Sequence, residues 1–250
     1  MNRNCGSVLA VISMLIVVLP PTQVGAVTYY PLVIGAEWQY EVDGELAGLM
    51  SITGHRELMG VTTVIRHEDI YEFGMGPMIV ENFWTADATG NLFLHGAINY
   101  TYDVEFAYWP PIKMIDAPLE LGASWITEDI YRFDLDGNPL GGSPFDYPLA
   151  VHFEGQTEVP LGSFYTYGVG FDYGAPPLYA EAGRQYDILG RRLSDGSTLP
   201  SGEPTHWYEE DVGLAQWRFT STSSDTFKLA EHQTSPVSEL SWGRTKLLFR

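Results

Sequence analysis

The chain has 250 residues, 45% hydrophobic and 14% aromatic, with 13 Lys+Arg against 32 Asp+Glu and a net charge of −19. That balance excludes nucleic acid and anionic membrane surfaces as partners, because both would repel the protein. The single cysteine, Cys5, excludes a disulfide framework, and the aromatic content excludes a disordered chain.

The first 26 residues read as a signal peptide. Arg3 supplies a positive start, and Val8 to Leu19 is an apolar run of twelve, shorter than the roughly 20 residues that span a bilayer as a helix. Pro20 and Pro21 end the run, and Val24-Gly25-Ala26 offers small residues for cleavage after Ala26. Cys5 precedes the run, whereas a lipid-anchor cysteine would follow it. The expected location is outside the cytoplasm, in the periplasm, on the cell surface or in the medium, with no membrane span once the leader is removed.

The mature chain opens on Pro31-Leu-Val-Ile-Gly-Ala-Glu-Trp38, and Pro118-Leu-Glu-Leu-Gly-Ala-Ser-Trp125 repeats it 87 positions later with five identities in eight. After the first copy, Trp38, Tyr40 and Val42 alternate with Glu37, Gln39 and Glu41, the period of a half-buried strand. Asp43-Gly44 is a hairpin turn signal. Strands are expected over Leu46 to Ile52, Val61 to His67, Met78 to Thr85, Asn91 to His95 and Ile98 to Glu105, separated by Gly, Pro and Asp. The second copy leads into Ser124 to Leu135, a loop-like Asp136 to Pro144, then strands over Tyr147 to Glu154 and Ser163 to Tyr173. Leu178 to Leu189 is apolar with either period, Arg191 to Pro204 is a polar loop, and Trp207-Tyr208 and Leu214 to Thr220 are the last strands.

The echo extends beyond the openings. Gly54-x-x-Glu57 and Gly155-x-x-Glu158 each precede a glycine and a strand, and Trp84 and Trp207 each stand six residues before a glycine. The expectation is an internally duplicated all-β protein of two units, residues 27–117 and 118–220, sharing one core. Antiparallel sheets would form a sandwich or a partly open barrel, with little helix beyond the leader and the C-terminal tail. Residues 221–240 read as a polar linker, and 241–250 as a basic tail in which Trp242, Gly243, Arg244, Lys246 and Arg250 look like a sorting or attachment tag. Pro31, Gly35, Trp38, Pro118, Gly122 and Trp125 are expected to be structural anchors.

Three stretches carry a resemblance. Tyr30 to Tyr40 resembles the opening of a group of uncharacterised exported bacterial β-domain proteins, Val159-Pro-Leu-Gly-Ser-Phe164 resembles their mid-chain turn, and His206 to Leu214 resembles their closing strand. The chain is in this respect similar to the TapB and DUF3108-like sets. The resemblance covers about Tyr30 to Phe219. It implies an antiparallel β architecture and no established activity.

The sequence holds no catalytic motif. The six histidines form no metal-ligand spacing, and no G-x-S-x-G string is present. Neither a cofactor nor a metal is expected. Arg66-His67-Glu68-Asp69 is the densest charged cluster and reads as a solvated strand end. Asp134-Leu-Asp-Gly-Asn138 resembles part of a calcium loop but lacks the closing acid, since position 145 is Phe145, and reads as an Asp-Gly turn. The aromatic stretch from Phe164 to Tyr186 is the segment most open to ligand binding, with Tyr165, Tyr167, Tyr173 and the earlier Trp109 as candidate contacts. The reading is an exported, non-enzymatic binding or envelope-structural module. Its ligand would be a carbohydrate, an apolar molecule or an envelope protein. The alternatives are a carrier with an apolar cavity between sheets and a hydrolase using a carboxylate pair.

Overall fold

A computed structural model describes residues 28–71, 77–173, 179–181, 184–193, 202–218 and 226–233. The expected leader and basic tail lie outside these residues. Twelve strands form one closed antiparallel barrel. The first six are β1 (Glu37–Val42), β2 (Glu45–Leu58), β3 (Val61–Tyr71), β4 (Pro77–Ala86), β5 (Leu92–Asn99) and β6 (Val104–Ile115). The next three are β7 (Ser124–Phe133), β8 (Phe145–Val159) and β9 (Gly162–Phe171). Three short strands follow, β10 (Tyr179–Glu181), β11 (Arg184–Tyr186) and β12 (Arg192–Leu193), which form a small sheet of their own. The barrel resumes with β13 (Pro204–Glu209), β14 (Gly213–Arg218) and β15 (Thr226–Gln233). Each barrel strand pairs with its neighbour along the chain, β9 with β13 across the insert, and β15 closes on β1.

Two expectations are corrected here. The all-β antiparallel architecture is as expected, but the barrel is closed rather than a sandwich or partly open. Part of the supposed linker, Thr226–Gln233, is the strand that closes it. Its sequence, TFKLAEHQ, is polar on one face only: Phe227 and Leu229 are buried between β14 and β1. A composition count over twenty residues averages that alternation away.

The two Pro-Leu-x-x-Gly-Ala-x-Trp segments fold alike. Gly35 N–H donates to Ile52 O, Ala36 N–H to Val33 O, and Ile52 N–H to Ala36 O. The second copy repeats the set, with Gly122 N–H to Val151 O, Ala123 N–H to Glu120 O, and Val151 N–H to Ala123 O. Both glycines have φ above +80°, a conformation that glycine adopts without the steric cost a Cβ would bring. Trp38 pairs with Met50, which pairs with Glu68; Trp125 pairs with Leu149, which pairs with Phe171. The two tryptophans therefore hold the same rung in their six-strand halves, and both are buried. Each indole N–H donates to a main-chain carbonyl, Trp38 to Val212 at 2.7 Å and Trp125 to Lys113 at 2.9 Å.

The later echoes are shifted. Both long hairpins carry a register shift at the same point, after Ile52 in β2 and after Val151 in β8. Beyond it, the arm from Phe153 to Val159 is two residues longer than that from Gly54 to Leu58. Trp84 and Trp207 are not equivalent. Phe83 pairs with Ile65, next along from Gly54, and Trp207 pairs with Gly168, next along from Phe153. Trp207 thus matches Phe83, and a one-residue offset places the two tryptophans on opposite faces.

Candidate functional site

Alternation along β3 decides what occupies the barrel lumen. Arg66, Glu68 and Ile70 are buried, while His67 and Asp69 lie on the other face and are partly exposed. The cluster expected to be a solvated strand end is therefore split. The outer half behaves as the sequence suggests: His67 lies 3.4 Å from Asp69 and 3.7 Å from Glu81, and the Glu81 contact raises its pKa. The inner half is a buried ion network.

Glu68 is its centre. One carboxylate oxygen accepts from Arg66 Nη2, and the other accepts from Arg191 Nε at 3.0 Å. Arg66 Nη2 also donates to Asn82 Oδ1 at 2.7 Å. All four residues are at most 2% exposed. Aromatic faces enclose the cations: Arg66 lies 4.6 Å from the Trp84 ring centre and 5.4 Å from that of Tyr30, and Arg191 lies 4.2 Å from that of Trp217. Burial alone would push the Glu68 carboxyl up. The adjacent guanidiniums of Arg191 and Arg66 outweigh it and hold the pKa below the usual range.

Arg191 arrives from the insert. The turn Asp187-Ile-Leu-Gly-Arg191 joins β11 to β12 and is buried throughout. Asp187 Oδ1 accepts from the Leu189 and Arg191 amides at 3.0 and 2.8 Å, and Asp187 N–H donates to Arg191 O at 2.9 Å. Gly190 has φ +77°, and a Cβ there would stand 3.0 Å from Ala97 Cβ, so the turn demands glycine twice over. Barrel side chains take the turn's carbonyls one by one. Tyr108 donates to Ile188 O at 3.1 Å, Asn82 to Leu189 O at 2.7 Å, and Asn99 to Gly190 O at 2.8 Å. Burial lifts the Asp187 pKa to about 6 even though Arg191 pulls it down.

His206 faces the same network from β13. Its Nδ1 is 2.9 Å from Thr205 Oγ1, its Nε2 is enclosed without a partner, and burial together with the two guanidiniums keeps the ring neutral. Trp84 Nε1 is likewise enclosed without a partner among the described residues, and the Tyr30 hydroxyl lies beside the Arg66 guanidinium.

The residues singled out as binding contacts fall in three places. Tyr165 and Tyr167 share one face of β9 with ring centres 5.9 Å apart. Tyr165 is 46% exposed and donates to Glu154 at 2.7 Å, whereas Tyr167 is half-buried against Tyr29. Tyr173, 59% exposed, follows the far end of β9. Trp109 lies three strands away on β6. It is 53% exposed and pairs directly with Tyr131 of β7, which is 48% exposed. Tyr131 also lines a cleft of about 110 Å³ with Arg132, Phe133, Pro139 and Ser143. A larger cleft of about 420 Å³ is lined by Glu41, Asp43, Glu158, Pro160 and Lys228 and by none of these rings.

Sequence reasoning missed Tyr131, because cross-strand pairing is not visible in one strand. It also missed Arg191, although a signal existed. The string Asp-x-x-Gly-Asn/Arg occurs at Asp87, Asp134 and Asp187, and all three fold into the same turn, with the aspartate N–H donating to the fifth residue's carbonyl. At Asp87 and Asp134 the fifth residue is asparagine, and its amide returns to the aspartate at 2.9 and 2.8 Å. That closed hydrogen bonding forms the Asp-Gly turn expected at Asp134. With arginine in fifth place, the side chain leaves the turn and reaches Glu68.

No protein-family description matches the chain, and no curated protein matches it, so the resemblance to the TapB and DUF3108-like sets rests on the motifs alone. Two solved structures are similar. One is a Bacteroides fragilis NCTC 9343 protein provisionally described as exported and as having a YmcC-like fold, with 10% identity and a TM-score of 0.39 over 83% of this chain and 99% of that one. The other is a Parabacteroides distasonis ATCC 8503 protein provisionally described as a lipoprotein, with 12% identity and a TM-score of 0.37 over the same shares.

Proposed function

We propose that this chain is an exported, non-enzymatic binding module that holds a neutral glycan on its barrel wall through Trp109 and Tyr131. The observation that carries the reading is the placement of these two rings: both are about half exposed, and they face each other across the β6–β7 ladder. Large rings of this kind are normally buried, and a paired exposed set offers a flat apolar platform with polar edges. Glu105 and Asp129 are exposed on the same strands and supply acceptors for hydroxyl groups. The net charge of −19 disfavours polyanionic glycans, which narrows the class to neutral ones. Export rests on the apolar leader of residues 1–26.

The alternatives draw less support. A carrier needs an empty apolar lumen, and this one is occupied by its own insert and a charge network. A hydrolase using a carboxylate pair finds no support at Glu68, which is engaged by two guanidiniums. The test is affinity electrophoresis through gels containing soluble neutral polysaccharides. Trp109→Ala and Tyr131→Ala should each abolish retardation while leaving the melting temperature unchanged, since surface truncations shift stability by about 0.5 kcal/mol or less. Retardation equal to wild type in both variants, or no retardation by any neutral polysaccharide, refutes the proposal.

A further inference from the structure

The insert that fills the lumen is not part of the barrel. The twelve-strand ladder closes without β10–β12, which hydrogen-bond only among themselves as a sheet. The excursion leaves and returns at one point, where Gly202 N–H donates to Phe171 O at 2.8 Å. In the other half the corresponding strands, β3 and β4, are joined across residues 72–76 alone, so closure does not require an insert.

Yet the barrel recognises this segment in detail. Side chains from five strands engage one turn: Glu68, Asn82, Asn99 and Tyr108 by hydrogen bonds, and Trp217 through its ring. A core that only needed filling would be served more cheaply by apolar residues, since buried charges cost several kcal/mol each to desolvate. A carboxylate facing an indole, with two amides and a phenol aimed at successive carbonyls, is the chemistry of a pocket that reads a peptide turn bearing a guanidinium.

We infer that the lumen is a recognition site for an arginine-bearing peptide turn and that Asp187–Arg191 occupies it in cis as a displaceable resident ligand. The site is independent of the Trp109–Tyr131 surface. Its opening would break the Arg191–Glu68 pair, the Arg191–Trp217 ring contact and the hydrogen bonds from Asn82, Asn99 and Tyr108, but no barrel ladder.

Amide hydrogen exchange in the full chain tests this. The amides of Leu189, Gly190 and Arg191 should exchange through local opening about 100-fold faster than those of Asn82 and Phe106 in the barrel. Glu68→Gln should speed the turn amides by roughly a further tenfold relative to the barrel amides. In Arg191→Ala, millimolar methylguanidinium should restore protection to Leu189 and Gly190, and methylammonium should not. Turn amides that exchange only together with the barrel amides make the insert fixed core and overturn the inference. So does an Arg191→Ala chain indifferent to methylguanidinium. If that variant does not fold, the wild-type exchange rates still decide the question.

Discussion

Replacing Glu68 by leucine isolates what the buried network contributes. The substitution keeps approximate volume and removes both acceptors, so Arg66 Nη2 and Arg191 Nε lose their shared carboxylate. Arg66 retains Asn82 Oδ1 at 2.7 Å, and both guanidiniums retain their aromatic neighbours. Neither can reach water, since both are at most 2% exposed. Breaking a buried pair by removing one partner costs about 3–5 kcal/mol, and here one carboxylate serves two cations. For a chain of this size each kcal/mol lowers the melting temperature by about 2–4 °C, so a fall of about 6–20 °C is expected. Thermal and urea denaturation followed by tryptophan fluorescence would measure it. The control is Arg66→Met with Glu68→Leu and Arg191→Met. Compared at pH 5, where the Asp187 carboxyl is protonated, that variant should lie within about 1 kcal/mol of wild type or above it, because no charge of the network is left unpaired. A Glu68→Leu protein within 1 kcal/mol of wild type would show that the two guanidiniums find other acceptors, and the account of the lumen would fail.

Two further outcomes are expected. The carboxyl of Asp187 has a folded-state pKa of about 6 against an ordinary 3.8, so it stabilises the fold below pH 3.8 and that contribution is lost as pH rises through 6. The shift corresponds to about 3 kcal/mol, and Asp187→Asn should be more stable than wild type at pH 8 by up to that amount and equal to it at pH 3.5, by urea denaturation; a constant difference across that range refutes the assignment. His95, lowered to about 4 by burial, runs the other way and loses stability as pH falls from 6.5, so the wild-type profile is flattened and the comparison with Asp187→Asn is the informative one. Trp38→Phe and Trp125→Phe should each cost about 1–3 kcal/mol, since each leaves a buried carbonyl without its indole donor; equal losses fit the shared rung, and a neutral Trp125→Phe would separate the two sites.

Most of the barrel was legible, because half-buried strands write their period into the chain. Trp38, Tyr40 and Val42 alternate with polar neighbours and are all buried. Closure was not legible. It depends on β15 meeting β1, a contact spanning nearly the whole chain, and TFKLAEHQ carries only two apolar anchors. The charged cluster on β3 was misread for a related reason. Four consecutive polar residues average to a surface segment, but a strand sends alternate members to opposite faces. Whether Arg66 and Glu68 can be buried depends on Arg191, 123 residues after Glu68. Of the aromatic candidates, Trp109 was singled out in the sequence as a possible contact, while its partner Tyr131 became visible only through register.

The halves match in frame and differ in what the frame carries. Ile52 pairs with Arg66 at the register shift of the first hairpin, and Val151 pairs with Val169 at that of the second. One rung on, Met50 faces Glu68 where Leu149 faces Phe171; across the next ladder, Arg66 meets Asn82 where Val169 meets His206. The positions that read the insert are thus polar in the first half and mostly apolar at the same rungs of the second. The insert itself springs from the second half, between β9 and β13, where the first half has a short connection. The side chains that hydrogen-bond the turn lie in the first half, Trp217 and the turn itself come from the second, and the ladder closes without the insert. The exchange behaviour of that turn, rather than the melting point of the barrel, is therefore the measurement that bears on function.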